Sequence, residues 1–135
     1  PLIGGLGIDT LVGGLGNDVL IGGAGSDVYR FDTTPHSTNN VDSISGFVPG
    51  SDTIELENSI FSGIGGSLSA AEFRAAAGAT TATTAGQRII YNTTTGDLYW
   101  DADGNAGGSA PVRFANLTNP DGSHPTLVNT NFIMI

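Results

Sequence analysis

Large apolar residues recur every nine positions at the start of the chain: Leu2, Leu11, Leu20 and Tyr29. Each is the centre of a triplet, Pro1-Leu2-Ile3, Thr10-Leu11-Val12, Val19-Leu20-Ile21 and Val28-Tyr29-Arg30. A triplet has room only for a short strand whose middle residue points to one face. Between the triplets stand three hexapeptides of one pattern, Gly4-Gly5-Leu6-Gly7-Ile8-Asp9, Gly13-Gly14-Leu15-Gly16-Asn17-Asp18 and Gly22-Gly23-Ala24-Gly25-Ser26-Asp27. The unit is Gly-Gly-x-Gly-x-Asp-x-U-x, with U a large apolar residue. It predicts a stack of short strands joined by tight glycine turns, with Leu11, Leu20 and Tyr29 lining the interior. Successive turns alternate between two edges, so turns two repeats apart are neighbours. Asp9 and Asp27 then share one edge while Asp18 lies on the other.

After Arg30 the register breaks. Asp42-Ser43-Ile44-Ser45-Gly46-Phe47 and Gly50-Ser51-Asp52-Thr53-Ile54-Glu55-Leu56 keep a degenerate form of the rhythm. Ser69-Ala70-Ala71-Glu72 reads as a capping box between the staple residues Leu68 and Phe73. Ala75-Ala76-Ala77 then propagates a helix of barely two turns, which Gly78 closes. So short a helix must dock on the sheet, through Ile60, Phe61, Leu68 and Phe73. Arg88–Asn92 and Asp97–Trp100 are β-rich runs joined by Thr93-Thr94-Thr95-Gly96, a hairpin pattern. Val112–Ala115 and Phe132–Ile135 are further strand candidates. Together these segments predict an antiparallel β cap over the open end of the stack, as a solenoid terminus requires.

The turns also carry chemistry. Glycine takes positive-φ conformations and lets the backbone approach an ion closely. Inward carbonyls supply neutral hard oxygens and one Asp per turn supplies charge, a donor set suited to calcium, which takes six to eight oxygens. The repeats resemble the calcium-binding nonapeptide of repeats-in-toxin (RTX) proteins, and the chain is similar to the C-terminal module of such type I-secreted proteins.

That resemblance implies a mainly all-β fold, a right-handed parallel β-roll over residues 1–31 packed as one unit with a capping and secretion segment over 32–135. It implies Ca2+ held between turns by Gly4, Gly5, Leu6, Gly7, Asp9, Gly13, Gly14, Leu15, Gly16, Asp18, Gly22, Gly23, Ala24, Gly25 and Asp27. Around one ion, Gly5, Gly7 and Asp9 would face Gly22, Ala24 and Asp27. Asp18 has no matching hexapeptide downstream, so its turn must borrow from the capping segment or lose its ion. Asp42 and Asp52 are candidate ligands there, the alternative being that they only end strands as turn residues. Pro1-Leu2-Ile3 reads as the end of an earlier repeat, so the expectation is a piece of a longer array whose upstream domains are partners. The terminal Phe132-Ile133-Met134-Ile135 is similar to the apolar ending read by type I secretion machinery, although Asn131 stands where an acidic residue is common.

Composition agrees with an extracellular calcium module. Thirteen acidic residues against four basic ones give a formal charge of -9. That balance argues against nucleic acid and anionic membranes as partners, which need clustered cations. There is no Cys, so no disulfide contributes, and no apolar run is long enough to span a membrane. Asp101-Ala102-Asp103-Gly104-Asn105 begins like an EF-hand loop, but its twelfth position is Val112 rather than Glu. A turn is the first reading there, with a supplementary ion site as the second. His36 and His124 lie in no metal-ligand spacing, and neither a nucleophile-elbow nor a phosphate-loop motif is present. The chain is therefore not expected to be an enzyme. Two function classes remain: a calcium-dependent folding and export module, and an extracellular binding module that docks a polysaccharide, a surface or the parent's catalytic domain.

Overall fold

A computed structural model describes residues 1–135 and is mainly β. Its strands are β1 (Leu2–Leu6), β2 (Thr10–Val12), β3 (Val19–Ala24), β4 (Val28–Phe31), β5 (Asp42–Ile44), β6 (Thr53–Leu56), β7 (Phe73–Ala76), β8 (Ile89–Asn92), β9 (Asp97–Trp100), β10 (Val112–Leu117) and β11 (Phe132–Met134). They form a seven-stranded sheet, β1-β3-β5-β10-β9-β8-β7, and a four-stranded sheet, β11-β6-β4-β2.

Alternate triplets go to alternate sheets. β1 pairs with β3 in parallel, Leu2 beside Leu20, and β2 with β4, Leu11 beside Tyr29. Both offsets are two nonapeptides, the spacing the sequence pattern predicts. The degenerate segments continue the same ladders: β5 adds to β3, and β6 adds to β4. Leu11, Leu20, Tyr29, Ile44, Ile54 and Leu56 are buried in one cluster fed by both sheets. The x positions of the turns point the other way, with Leu6 89% and Leu15 79% exposed.

The second half of the chain extends these sheets. β10 pairs in parallel with β5, and β11 in parallel with β6. Between strands, antiparallel pairing is confined to β8–β9 and β9–β10, so the second half is not the antiparallel cap expected but a mixed one, in which β7–β8, β5–β10 and β6–β11 are parallel. The hairpin joining β8 to β9 is as expected, its turn closed by Gly96 at φ 79°. Phe61 and Leu68 are buried and Ile60 and Phe73 pack against the core, so all four expected docking residues face inward.

One element differs from expectation. Residues 69–77 form no α-helix; Phe73–Ala76 is strand β7, paired in parallel with β8. Half of the capping box forms: the Ser69 N–H donates to Glu72 Oε1 at 2.9 Å, but the Glu72 N–H goes to the Ser69 main-chain carbonyl at 3.1 Å rather than to its hydroxyl, closing a single turn. The turn does not propagate. A two-turn helix carries the full cost of nucleation, whereas pairing satisfies the backbone along the edge of β8. It also sets the Phe73 ring 5.4 Å from Phe132. Gly78 is left-handed at φ 71°, but it closes the exit from β7, donating its N–H to Asn92 Oδ1.

Candidate metal centre in the glycine turns

Each turn ends in an Asp whose N–H is taken by an aspartate side chain from further along the chain, Asp27, Asp42 or Asp52. The Asp9 N–H donates to Asp27 Oδ1 at 3.0 Å, and the Asp27 N–H donates to Asp52 Oδ1 at 3.0 Å. The return bonds are main-chain: Val28 N–H to the Asp9 carbonyl at 2.8 Å, and Thr53 N–H to the Asp27 carbonyl at 2.9 Å. Asp9, Asp27 and Asp52 therefore form a file along one edge. Asp52 Oδ2 ends the file by accepting the Val48 N–H at 2.9 Å. On the other edge the Asp18 N–H donates to Asp42 Oδ1 at 2.9 Å. Both residues from beyond the repeats, Asp42 and Asp52, thus stand in rungs with repeat aspartates.

The glycines divide into two kinds. Gly5, Gly14, Gly23, Gly7, Gly16 and Gly25 have positive φ between 80° and 144°. Gly4, Gly13 and Gly22 do not, and are required for space. A Cβ on Gly4 would lie 2.6 Å from both Asp9 Oδ2 and the Gly22 carbonyl oxygen. One on Gly13 would lie 2.6 Å from Asp42 Oδ2 and 3.2 Å from Asp18 Oδ2. One on Gly22 would collide with the Asp27 carboxylate. At all three positions acidic oxygens close on bare backbone.

The first edge has the donor set of a cation site. Asp9 Oδ2 and Asp27 Oδ2 are buried with no hydrogen-bond donor, although buried polar atoms are ordinarily satisfied. Nowhere do three or more Asp, Glu or His side chains converge on a metal-binding arrangement. A cation here would depend on two carboxylates and main-chain carbonyls, the hard oxygens calcium favours. Of these carbonyls, that of Ala24 also accepts the Gly7 N–H at 2.9 Å and keeps a second lone pair.

The second edge is partly filled by protein groups that the sequence did not announce. Asn40 Oδ1 accepts the Gly16 N–H at 3.0 Å, and Asn17 Oδ1 accepts the Val41 N–H at 2.8 Å. The Thr33 hydroxyl donates to the Gly14 carbonyl at 3.0 Å and accepts from Asn40 Nδ2 at 3.0 Å. The one available signal was that Asn40-Val41-Asp42 keeps the spacing of Gly16-Asn17-Asp18. Leu6 and Leu15 contribute only main chain here, since their side chains lie in solvent.

Burial pushes the Asp42 carboxyl from an ordinary 3.8 up to about 6; the Asp18 N–H opposes the shift and the Asp18 charge adds to it. The metal-free fold thus favours protonated Asp42, a contribution complete below about pH 4 and lost as pH rises through about 6. Cation binding needs the ionised form. Calcium uptake at this edge should therefore strengthen between about pH 5 and pH 7 and release a proton near pH 5. Calorimetry in two buffers of different ionisation heat measures that proton, and Asp42→Asn should remove it. Burial likewise pushes the Tyr29 phenol up to about 12; a bond from Gly22 opposes this and the charges of Asp52 and Asp27 add to it.

Elsewhere, Asp101 and Asp103 shape the turn after β9. The Asp103 N–H donates to Asp101 Oδ1 at 3.4 Å and the Ser109 N–H to Asp103 Oδ2 at 2.8 Å. Burial, and then the Asp103 carboxyl, hold Asp101 above the usual carboxylate range. No helix is long and apolar enough to cross a membrane.

Short parallel strands with aspartate-closed glycine turns on both edges define a nonapeptide-repeat protein of mainly β structure. Residues 2–32 match the family model of the RTX calcium-binding nonapeptide repeat (4 copies), and this segment is an array of such repeats. A comparison of the chain with curated proteins gave no match.

Proposed function

We propose that this chain is a calcium-dependent folding and type I secretion module of a larger extracellular protein, without catalysis of its own. In this reading residues 1–31 form a right-handed parallel β-roll, and 32–135 are the segment that caps it and carries the export signal. One observation carries the calcium half: the two buried, donor-free oxygens of Asp9 and Asp27, packed against Gly4 and Gly22. Gly5, Gly7 and Asp9 would hold an ion together with Gly22, Ala24 and Asp27. Gly14, Gly16, Asp18 and Asp42 would hold one on the second edge, and Asp52 supports Asp27 from below. A bound calcium supplies positive charge between carboxylates and ties turns that are distant in sequence. The chain's own residues supply the rest: the Asp file orders the turns, and Leu11, Leu20 and Tyr29 anchor the strands.

The export half is supported by the family resemblance and by the apolar ending Phe132–Ile135. The test has two arms. Calorimetric titration of the intact chain with calcium should show saturable uptake, and no uptake at millimolar calcium would sink the calcium reading. Fused to the C-terminus of a reporter and co-expressed with a type I exporter, the chain should carry the reporter into the medium. Removing 132–135 should keep the reporter in the cell; equal export with and without them would refute that signal.

A further inference from the structure

The turn that carries Asp27 differs from its two predecessors at one core position. Where they place Leu11 and Leu20, it places Tyr29, which brings a hydroxyl into a fully buried site. Tyr29 Oη accepts the Gly22 N–H at 3.0 Å. Gly22 lies between two oxygens: a Cβ there would meet Tyr29 Oη at 2.6 Å and Asp27 Oδ2 closer still. Tyr29 Oη takes the amide, and Asp27 Oδ2 is left buried without a donor. The other oxygen of the same carboxylate, Oδ1, holds the Asp9 N–H.

We propose that Tyr29 is a positioning residue for the ion site at Asp27: its hydroxyl occupies the Gly22 amide and so keeps Asp27 Oδ2 free for a divalent cation. A buried N–H without a partner is strongly unfavourable. Without the hydroxyl, the acceptor already lying against Gly22 is Asp27 Oδ2. A charge-assisted N–H bond to that oxygen is stronger than a neutral one and would compete with the ion for the carboxylate. Leu11 and Leu20 cannot act in this way, so the device belongs to the third repeat alone. The inference rests on the proposed calcium site at Asp9 and Asp27.

The experiment uses the intact chain and its Tyr29→Phe variant, which keeps the ring in the core. Calcium affinity is measured by calorimetry. Directly excited europium, bound in place of calcium, reports inner-sphere water through its lifetimes in H2O and D2O. The variant should bind calcium about tenfold more weakly, the scale of one hydrogen bond to a charged group. Its europium should gain one water at one site, where Asp27 Oδ2 has withdrawn. Tyr29→Leu, which copies the core residue of the earlier repeats, should show the same extra water. Weaker binding with unchanged hydration would mean that Tyr29 only fills the core, and overturns the proposal. So does a variant that binds calcium as tightly as a wild type that binds it. A wild type that takes up neither calcium nor europium overturns the ion reading itself, and the role of Tyr29 with it.

Discussion

Chelation should strip amide-exchange protection from residues 4–30 while leaving β8, β9 and β10 protected. The first segment carries nine glycines, Gly4, Gly5, Gly7, Gly13, Gly14, Gly16, Gly22, Gly23 and Gly25. Each gives up more backbone freedom on ordering than any other residue would. Its acidic side chains are stacked in file, and two of their oxygens are buried without donors. A calcium site at about 100 times its Kd contributes about 2.7 kcal/mol, so two sites supply about 5 kcal/mol. That sum is comparable with the whole stability of an ordinary domain. The later strands share the core of the repeats through Ile89, Tyr91, Leu98, Phe114 and Leu117, which are buried in the same cluster as Leu11, Leu20 and Tyr29 but stand on strands without stacked aspartate turns. Hydrogen exchange read by mass spectrometry, with calcium and with chelator, makes the comparison. Identical protection of 4–30 in both conditions would remove the basis for calcium-dependent folding.

Asp27→Ala should be the most damaging single substitution in the repeats, well beyond Asp9→Ala. Asp27 is the middle member of its file: it accepts the Asp9 N–H through Oδ1 and sends its own N–H to Asp52. Removing the carboxylate leaves the Asp9 amide without its partner, at about 1–3 kcal/mol. It also removes the ion's contribution, about 2.7 kcal/mol at 100 times Kd. Asp9 ends the file, and its Oδ2 accepts no bond. Asp9→Ala therefore loses only the ion. At saturating calcium, exchange measured residue by residue should show protection lost from β1 through β4 in Asp27→Ala, and only around the first rung in Asp9→Ala. Equal losses in the two variants would contradict the hierarchy that these bonds imply.

The two-repeat register and the alternation of edges were legible because the positions that set them recur in the sequence. Leu11, Leu20 and Tyr29 face the core, and Asp9 lies over Asp27, as nine-residue spacing requires. What was not legible depended on partners far along the chain. Ser69, Glu72 and the alanines after them carry every local sign of a helix, but the edge of β8, which settles the matter, is built sixteen residues later. Asn40 and Thr33 likewise show their role only when folded against Gly14 and Gly16, across a stretch where the repeat pattern has lapsed. The same holds for Tyr29, whose apolar position was plain and whose hydroxyl contact with Gly22 was not.

The parallel ladders also set a rule for how the array can change length. A rung joins residues eighteen apart within the repeats, Asp9 to Asp27, and this widens to 24 and 25 where Asp42 and Asp52 take over. Loss or gain of one nonapeptide would transpose every later aspartate to the opposite side of the molecule. The junction itself would still take the last two turns as before, the final one on an Asp52-type rung and the one before it on an Asp42-type rung. Two nonapeptides together would return every later aspartate to its original side. Such a chain can therefore grow or shorten one nonapeptide at a time, each step exchanging the two edges relative to whatever precedes it and leaving the junction undisturbed.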